Sequence, residues 1–430
     1  MIESLSALGA MLALVFMRVP VAFAMALVGF VGLGLLRGWP PAYAMAGSVI
    51  YESGFQYLLS VLPLFILMGN FVTESRMSRE LYAAAHALLG HRRGGLAMST
   101  IAACGGFGAI CGSSLATAAT MAKVAYPEMR RMGYSEKLAA GSIAAGGTLG
   151  VLIPPSIIMV VYCLLTEQSI GKMFAAGVLP GVLAILCYMA AVAWVVRRDP
   201  AAGPRGPRST WPHTLHALRQ VWMVLALIGM LLGGIYGGLF TPAEAAGVGA
   251  FLSFLFACSR RAMTWRRFLD VVVESAKTTG MIFVVMIGAL MLANFINFTS
   301  LPQDLLDVVA RHQLSPLTVI LAICVIYIVL GCVLESMSMI LLTVPVFYPL
   351  VQSLGFDLIW FGVIVVVVTE ISFITPPFGM NVFVLRGLLP GVSTPTIFRG
   401  VMPFVVSGVV RLAILVLFPS ISLLLPSYVR

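Results

Sequence analysis

Six pairs of residues in this chain stand at one constant separation. Pro20 and Pro242, Ser114 and Ser336, Tyr126 and Tyr348, Pro127 and Pro349, Pro154 and Pro376, and Pro155 and Pro377 are each 222 residues apart. Asn70-Phe71 and Asn294-Phe295 are 224 apart, which places a small gap between the copies. The 430 residues are therefore a duplication, and the fold must be two related units. Each copy holds a polar segment broken by Gly and Pro within otherwise apolar sequence.

The solvent of that fold follows from composition. Hydrophobic residues make up 60% and charged residues 10% of the chain, against roughly 25% charged in soluble domains. This is a multi-pass membrane protein. Apolar segments near the roughly 20-residue spanning length run 2–17, 20–36, 42–72, 138–165, 173–196, 220–239, 242–258, 268–297, 315–330, 358–385 and 400–426. The first has no basic flank and no small-residue cleavage site, so it is expected to be a membrane helix rather than a removed signal. The net charge of +10 resides largely in short arginine-rich loops, where it sets orientation and gives no reason to expect a nucleic-acid partner. Seven cysteines without CxxC or Cys/His spacing read as small buried hydrophobes, and five histidines fall in loops or amphipathic stretches rather than in ligand pairs.

Residues 95–121 and 317–343 are too interrupted for simple spans and read as re-entrant hairpins, which survive at membrane depth only where protein or a wet cavity satisfies the backbone. After the first hairpin, residues 122–137 hold Lys123, Arg130, Arg131 and Lys137 against Glu128 and Glu136, a net of +2, whereas 344–359 hold only Asp357. Before it lie Arg76, Arg79, Arg92 and Arg93; before the second lies Arg311 beside Asp304 and Asp307. The positive-inside rule then gives the copies opposite orientations. Five spans plus a returning hairpin in the first half require the same inversion. The linker 197–219 and the basic stretch 259–267 are expected in the cytoplasm and both termini outside. Two amphipathic stretches, with stripes Leu81, Ala84, Ala85, Leu88 and Leu305, Val308, Val309, are expected to lie in the interface as arms.

The chemistry concentrates in the broken segments. Gly108 and Gly112 allow unusual dihedrals beside Ser113 and Ser114, and exposed carbonyls with hydroxyls suit a hard cation such as Na⁺. In the second hairpin Glu335 adjoins Ser336 and Ser338; an acid at bilayer depth costs roughly 2.5 to 3.5 kcal/mol and needs a partner or a use. Cation binding, proton carriage and orientation of the hairpin backbone are all open to it. Gly146 to Gly150 before Pro154-Pro155, and Thr369, Glu370, Ser372 and Thr375 before Pro376-Pro377, read as breaks in spanning helices. Proline frees carbonyls one turn back, and half-helix ends attract ions of both signs. Together these are the sequence marks of a secondary transporter. The Na⁺ set is Gly112, Ser113, Ser114, Gly147, Thr148, Pro154, Glu335, Ser336, Thr375 and Pro376. Ser113, Ser156, Ser338, Gly379 and Asn381 are the substrate-facing candidates. Arg411, alone in an apolar run, is read as snorkelling or meeting another subunit.

Leu62-Pro63-Leu64-Phe65, Met68-Gly69-Asn70, Gly112-Ser113-Ser114, Ile153-Pro154-Pro155-Ser156, the run from Gly238 to Ala245, and Pro376-Pro377-Phe378-Gly379-Met380-Asn381 together resemble the large membrane subunit of tripartite ATP-independent periplasmic (TRAP) transporters, the DctM-like family. The resemblance spans essentially the whole chain. It implies Na⁺ as coupling ion and an elevator-type importer of the bacterial inner membrane. It also implies a small four-helix DctQ-like subunit and a DctP-like periplasmic binding protein that delivers an organic acid such as a C4-dicarboxylate. On that reading residues 1–94 are scaffold and first arm, 95–172 and 315–390 the transport domain, 173–297 scaffold with the linker, 298–314 the second arm and 391–430 a C-terminal helix. A stand-alone Na⁺/organic anion symporter fits the same pattern. An intramembrane enzyme fits less well: there is no H-E-x-x-H, no G-x-S-x-G and no histidine within an apolar span, and the ATP-binding G-x-x-x-x-G-K-[ST] is also missing.

Overall fold

Apart from Arg76 and Val333, the computed structural model describes residues 2–429, and among them there are only helices and connections. Arg76 of the first arm and Met1 of the first helix lie outside the described residues. The first copy comprises α1 (Ile2–Phe16), α2 (Val21–Arg37), α3 (Trp39–Phe55), α4 (Val61–Glu74), α5 (Met77–Leu89), α6 (Gly95–Cys111), α7 (Ser114–Arg131), α8 (Glu136–Leu152), α9 (Ile157–Thr166) and α10 (Ile170–Arg198). A linker helix, α11 (Trp211–Gln220), precedes the second copy. That copy runs α12 (Trp222–Tyr236), α13 (Pro242–Ser259), α14 (Trp265–Asn297), α15 (Leu301–Arg311), α16 (Pro316–Gly331), α17 (Ser336–Ser353), α18 (Leu358–Ser372), α19 (Met380–Leu388) and α20 (Thr394–Leu417), with a short α21 (Ser420–Leu423) last.

The duplication is visible element by element. Hairpin α6/α7 corresponds to α16/α17, broken helix α8/α9 to α18/α19, arm α5 to α15, and α10 to α20. Both breaks contain a cis Pro-Pro bond, Pro154–Pro155 and Pro376–Pro377. The one difference in element count is local: at Gln56 the segment expected as a single span divides into α3 and α4, whereas α14 runs unbroken for 33 residues. By length and composition, seven helices among the described residues are able to cross a membrane, and eight if the bent pair α11 and α12 forms one span. Several of the expected apolar segments form shorter apolar helices of 10–17 residues, among them Val21–Arg37, Gly95–Cys111, Pro316–Gly331 and Leu358–Ser372.

Packing obeys a pseudo-two-fold axis. α2 packs on α14 and, reciprocally, α13 packs on α4; α7 on α19 and α17 on α9; α8 on α20 and α18 on α10. Close approach is built in at small residues: a Cβ on Gly108 would stand 2.6 Å from the Cα of Gly150, and the corresponding contact in the other copy joins Gly331 to Ser372. Because these crossings leave no room for a side chain, each hairpin seats firmly against its own broken helix.

α10 packs on α6, α8, α18 and α20, against the hairpins and broken helices. The first arm turns differently from its expected stripe: Leu88 is exposed while Tyr82 and Ala87 are buried, because α5 lies on α6, α7 and α11 rather than on lipid alone. Glu80 of that arm forms an ion pair with Arg260 of the 259–267 loop. That contact joins two segments assigned to one side of the membrane.

Candidate functional site

Each hairpin tip is shaped by its own caps. α6 ends at Gly112, whose left-handed backbone (φ 63°) lets its N–H bond the Gly108 carbonyl. Ser113 is extended, and its Oγ accepts from Ala116 N at 3.4 Å, so the first amides of α7 are only weakly capped. In the other hairpin the position 222 residues on is Glu335. Its carboxylate accepts from Met337 N at 3.0 Å, Ser338 N at 3.3 Å and Ser336 Oγ at 2.8 Å. Of the roles open to Glu335 on sequence, the structure displays the orienting one: it caps α17.

Both tips open on one cavity of about 860 Å³. Gly112, Ser113 and Ser114 line it from one hairpin and Glu335, Ser336 and Ser338 from the other, with Asn70, Glu274 and Thr278 opposite them on α4 and α14. Among the described residues no Lys, Arg or His lines it. The N-termini of α7 and α17 converge on this space, and helix N-termini favour anions. Two carboxylates, Glu274 and Glu335, lie in the same space.

Other candidates lie elsewhere. Thr148 donates to the Ala145 carbonyl at 2.8 Å and meets Tyr188 Oη at 3.3 Å, which parts it from the serines of the hairpin tip. Gly147 packs against Ala118. Pro154 is buried in the first break and Pro376 exposed in the second. Ser156 Oγ is held by the Val151 carbonyl at 2.6 Å, and Thr375 Oγ by Ile371 at 2.6 Å. Gly379 adopts φ 48° at the start of α19. Asn381, expected to face substrate, is fully buried; its amide joins Ser114 Oγ at 2.8 Å and the Ala144 carbonyl at 3.0 Å, tying the second break to the first hairpin.

Arg411 is a correction. It neither snorkels nor reaches outward: it is wholly buried, and its Nη2 donates to Glu370 Oε2 at 2.6 Å with its guanidinium 5.5 Å above the Tyr188 ring. Glu370 lies 222 residues after Thr148, and Arg411 lies 223 after Tyr188. The ion pair of one copy is thus the counterpart of the hydroxyl pair of the other, and the two pairs meet in the middle of the molecule. Sequence inspection passed over Glu274 as a cavity residue, although a carboxylate inside the apolar run 268–297 is itself a signal.

Two inverted repeats, with paired re-entrant tips sharing one polar cavity inside a membrane domain, define a secondary transporter. The chain matches, over residues 8–421, the family described as Tripartite ATP-independent periplasmic transporter, DctM component. It is 37% identical over 397 residues to the C4-dicarboxylate TRAP transporter large permease protein DctM of Pseudomonas aeruginosa, covering 92% of each chain. It is 32% identical to the ectoine TRAP transporter large permease protein TeaC of Halomonas elongata, covering 85% of this chain and 86% of that one. The fold also resembles the crystal structure of the Alcanivorax borkumensis YdaH transporter, with a TM-score of 0.64, 11% identity and 89% of each chain covered. The chain belongs to the DctM family of TRAP large permeases: a transporter subunit rather than an enzyme, and a multi-pass protein of the bacterial inner membrane.

Proposed function

We propose that this permease imports a small organic acid together with Na⁺, receiving its cargo from a DctP-like periplasmic binding protein and working with a small DctQ-like membrane subunit. The observation that supports this reading is the shared cavity: both hairpin tips supply hydroxyls and helix N-termini, and no cationic side chain lines it among the described residues. On this reading cations come with the substrate. Each Na⁺ crossing about 100 mV and a tenfold gradient supplies roughly 2.3 plus 1.4 kcal/mol. A dianion returns roughly 4.6 of the roughly 7 kcal/mol that two Na⁺ supply, which leaves little to drive accumulation and argues for more than two Na⁺ or for a monocarboxylate cargo. Names among the relatives mention C4-dicarboxylates and ectoine, which supports a small polar cargo.

The contacts between blocks support an elevator motion. Here α14 packs on α17, while α4 packs on α6 and α9. Exchanging the roles of the two repeats would place α4 on α7 and α14 on α16 and α19, an arrangement open to the other side. The cavity is walled by the start of α2 and by residues 274–285 of α14. Both face the cytoplasmic side under the positive-inside assignment, which supports reading this conformation as open inward.

The test is uptake of labelled organic acids into proteoliposomes holding the chain and its small subunit, with an imposed Na⁺ gradient, with and without the neighbouring periplasmic protein. Uptake that needs both Na⁺ and the soluble protein is expected. Na⁺-driven uptake without it would instead indicate a stand-alone symporter. Ser336→Trp, which fills the tip, should abolish uptake while the protein stays in the membrane; unchanged uptake would refute the site.

A further inference from the structure

A second polar cavity, of about 480 Å³, lies far from the hairpin tips and is lined by His91, Arg92, Arg93, Arg197, Arg205 and Arg208, with Ala193, Val196 and Gly206. Three separate segments bring these arginines together: the α5–α6 connection, the end of α10, and the linker. Backbone bonds fix the arrangement. Gly94 N donates to Gly203 O at 2.9 Å, Gly206 N to Gly90 O at 3.1 Å, and Ser135 N to Ala202 O at 3.0 Å. Tyr134 Oη donates to Pro204 O at 3.0 Å and accepts from Leu96 N at 3.1 Å. None of the five arginines takes part in an ion pair among the described residues. Asp199, the nearest acid along the chain, is occupied in accepting from Ala201 N.

A preference for basic cytoplasmic loops accounts for arginine in these segments, yet not for stitching three of them around one hollow. Nor does the fold need them there: the equivalent joint of the second copy, His312-Gln313-Leu314-Ser315, has no arginine. Like charges gathered without counter-charge repel, so the hollow is set for an anion. Its level in the membrane narrows the choice. Trp194, half exposed one turn earlier on α10, stacks with Arg198 at 4.3 Å, and Trp211 of the linker is 80% exposed. Exposed tryptophans mark the headgroup region, and Ala193 and Val196 give the pocket an apolar floor.

We propose that this pocket binds the phosphate of an anionic phospholipid of the cytoplasmic leaflet, holding the linker and the first arm's hinge against α10. Basic pockets between helices on this side recognise such headgroups through multiple guanidinium–phosphate bonds.

The purified full-length chain is equilibrated with mixed micelles of phosphatidylglycerol, with phosphatidylcholine as the zwitterionic control, and retained lipid is read by native mass spectrometry. Phosphatidylglycerol should be held selectively and released as NaCl rises. The Arg92→Gln/Arg205→Gln pair should weaken retention roughly tenfold or more, with Arg92→Lys/Arg205→Lys keeping most of it. Arg399→Gln, which removes an exposed charge elsewhere, should leave it unchanged. Equal retention of both lipids, or no effect of the Gln pair, overturns the proposal. A separate arm offers inorganic phosphate: phosphate binding without lipid retention overturns the lipid source. If the Gln pair does not fold, lipid selectivity and the salt titration on the unaltered chain decide the matter.

Discussion

Glu370 and Arg411 hold one another by a single bond at full burial, and Glu370 Oε1 and Arg411 Nε and Nη1 have no hydrogen-bond partner among the described residues. The cost of stranding either charge alone is about 3 to 5 kcal/mol, more than the pair gains by being present. Arg411→Leu is therefore expected to destabilise the detergent-solubilised protein by that amount, and the Glu370→Leu/Arg411→Leu double variant to recover much of the loss in a denaturant unfolding series. A double variant as unstable as the single would show that the cluster holds by something other than charge. Asn381 makes a gentler case. Asn381→Leu leaves the buried Ser114 hydroxyl without its amide partner and removes the extra bond to the Ala144 carbonyl, for an expected cost of about 1 to 3 kcal/mol, with Na⁺-driven uptake falling because the Ser114 hydroxyl loses its tether.

Helix crossings in this molecule are set by absent side chains. Gly141 and Gly400 face each other across α8 and α20 so closely that a Cβ on either meets the backbone of the other helix. Gly400→Val should push α20 off α8, costing about 1 to 3 kcal/mol or more by overpacking, visible as a lowered midpoint of thermal unfolding. Gly229, where a Cβ would meet nothing within 4 Å, provides the contrast: Gly229→Ala should be neutral or slightly stabilising. Equal effects at the two sites would mean that the crossing is not tight. The hairpins follow the same logic at Gly108 and Gly331; Gly108, read from the sequence as a place of unusual dihedrals, lies within helix α6 and serves close packing instead.

Across the whole molecule, orientation and conformation are separable claims. A cysteine replacing Ser209 in the linker, in a background without the seven native cysteines, is expected to react with an impermeant thiol reagent only from the cytoplasm. Phe23, 60% exposed at the cavity mouth, gives the conformational probe. Phe23→Cys should label from the cytoplasmic side in the resting protein, and less in the presence of a cargo acid with Na⁺. Labelling from the periplasm alone would contradict an inward-facing state.

The duplication, the membrane class, the two hairpins and both Pro-Pro breaks were legible in the residues, because hydropathy and backbone chemistry act locally and repeat at a fixed interval. Most hydroxyls of the hairpin tips were legible for the same reason, and Glu335 was flagged by the cost of charge at depth. Tertiary structure alone decided which of these polar groups meet. Thr148 turned to Tyr188, Asn381 became a strut, and Glu274 entered the cavity from α14, since the direction of a side chain depends on helix rotation against a neighbour distant in sequence. The pairing of Glu370 with Arg411, 41 residues apart, was invisible for that reason: each looks like a costly outlier until the pseudo-two-fold packing places one against the other.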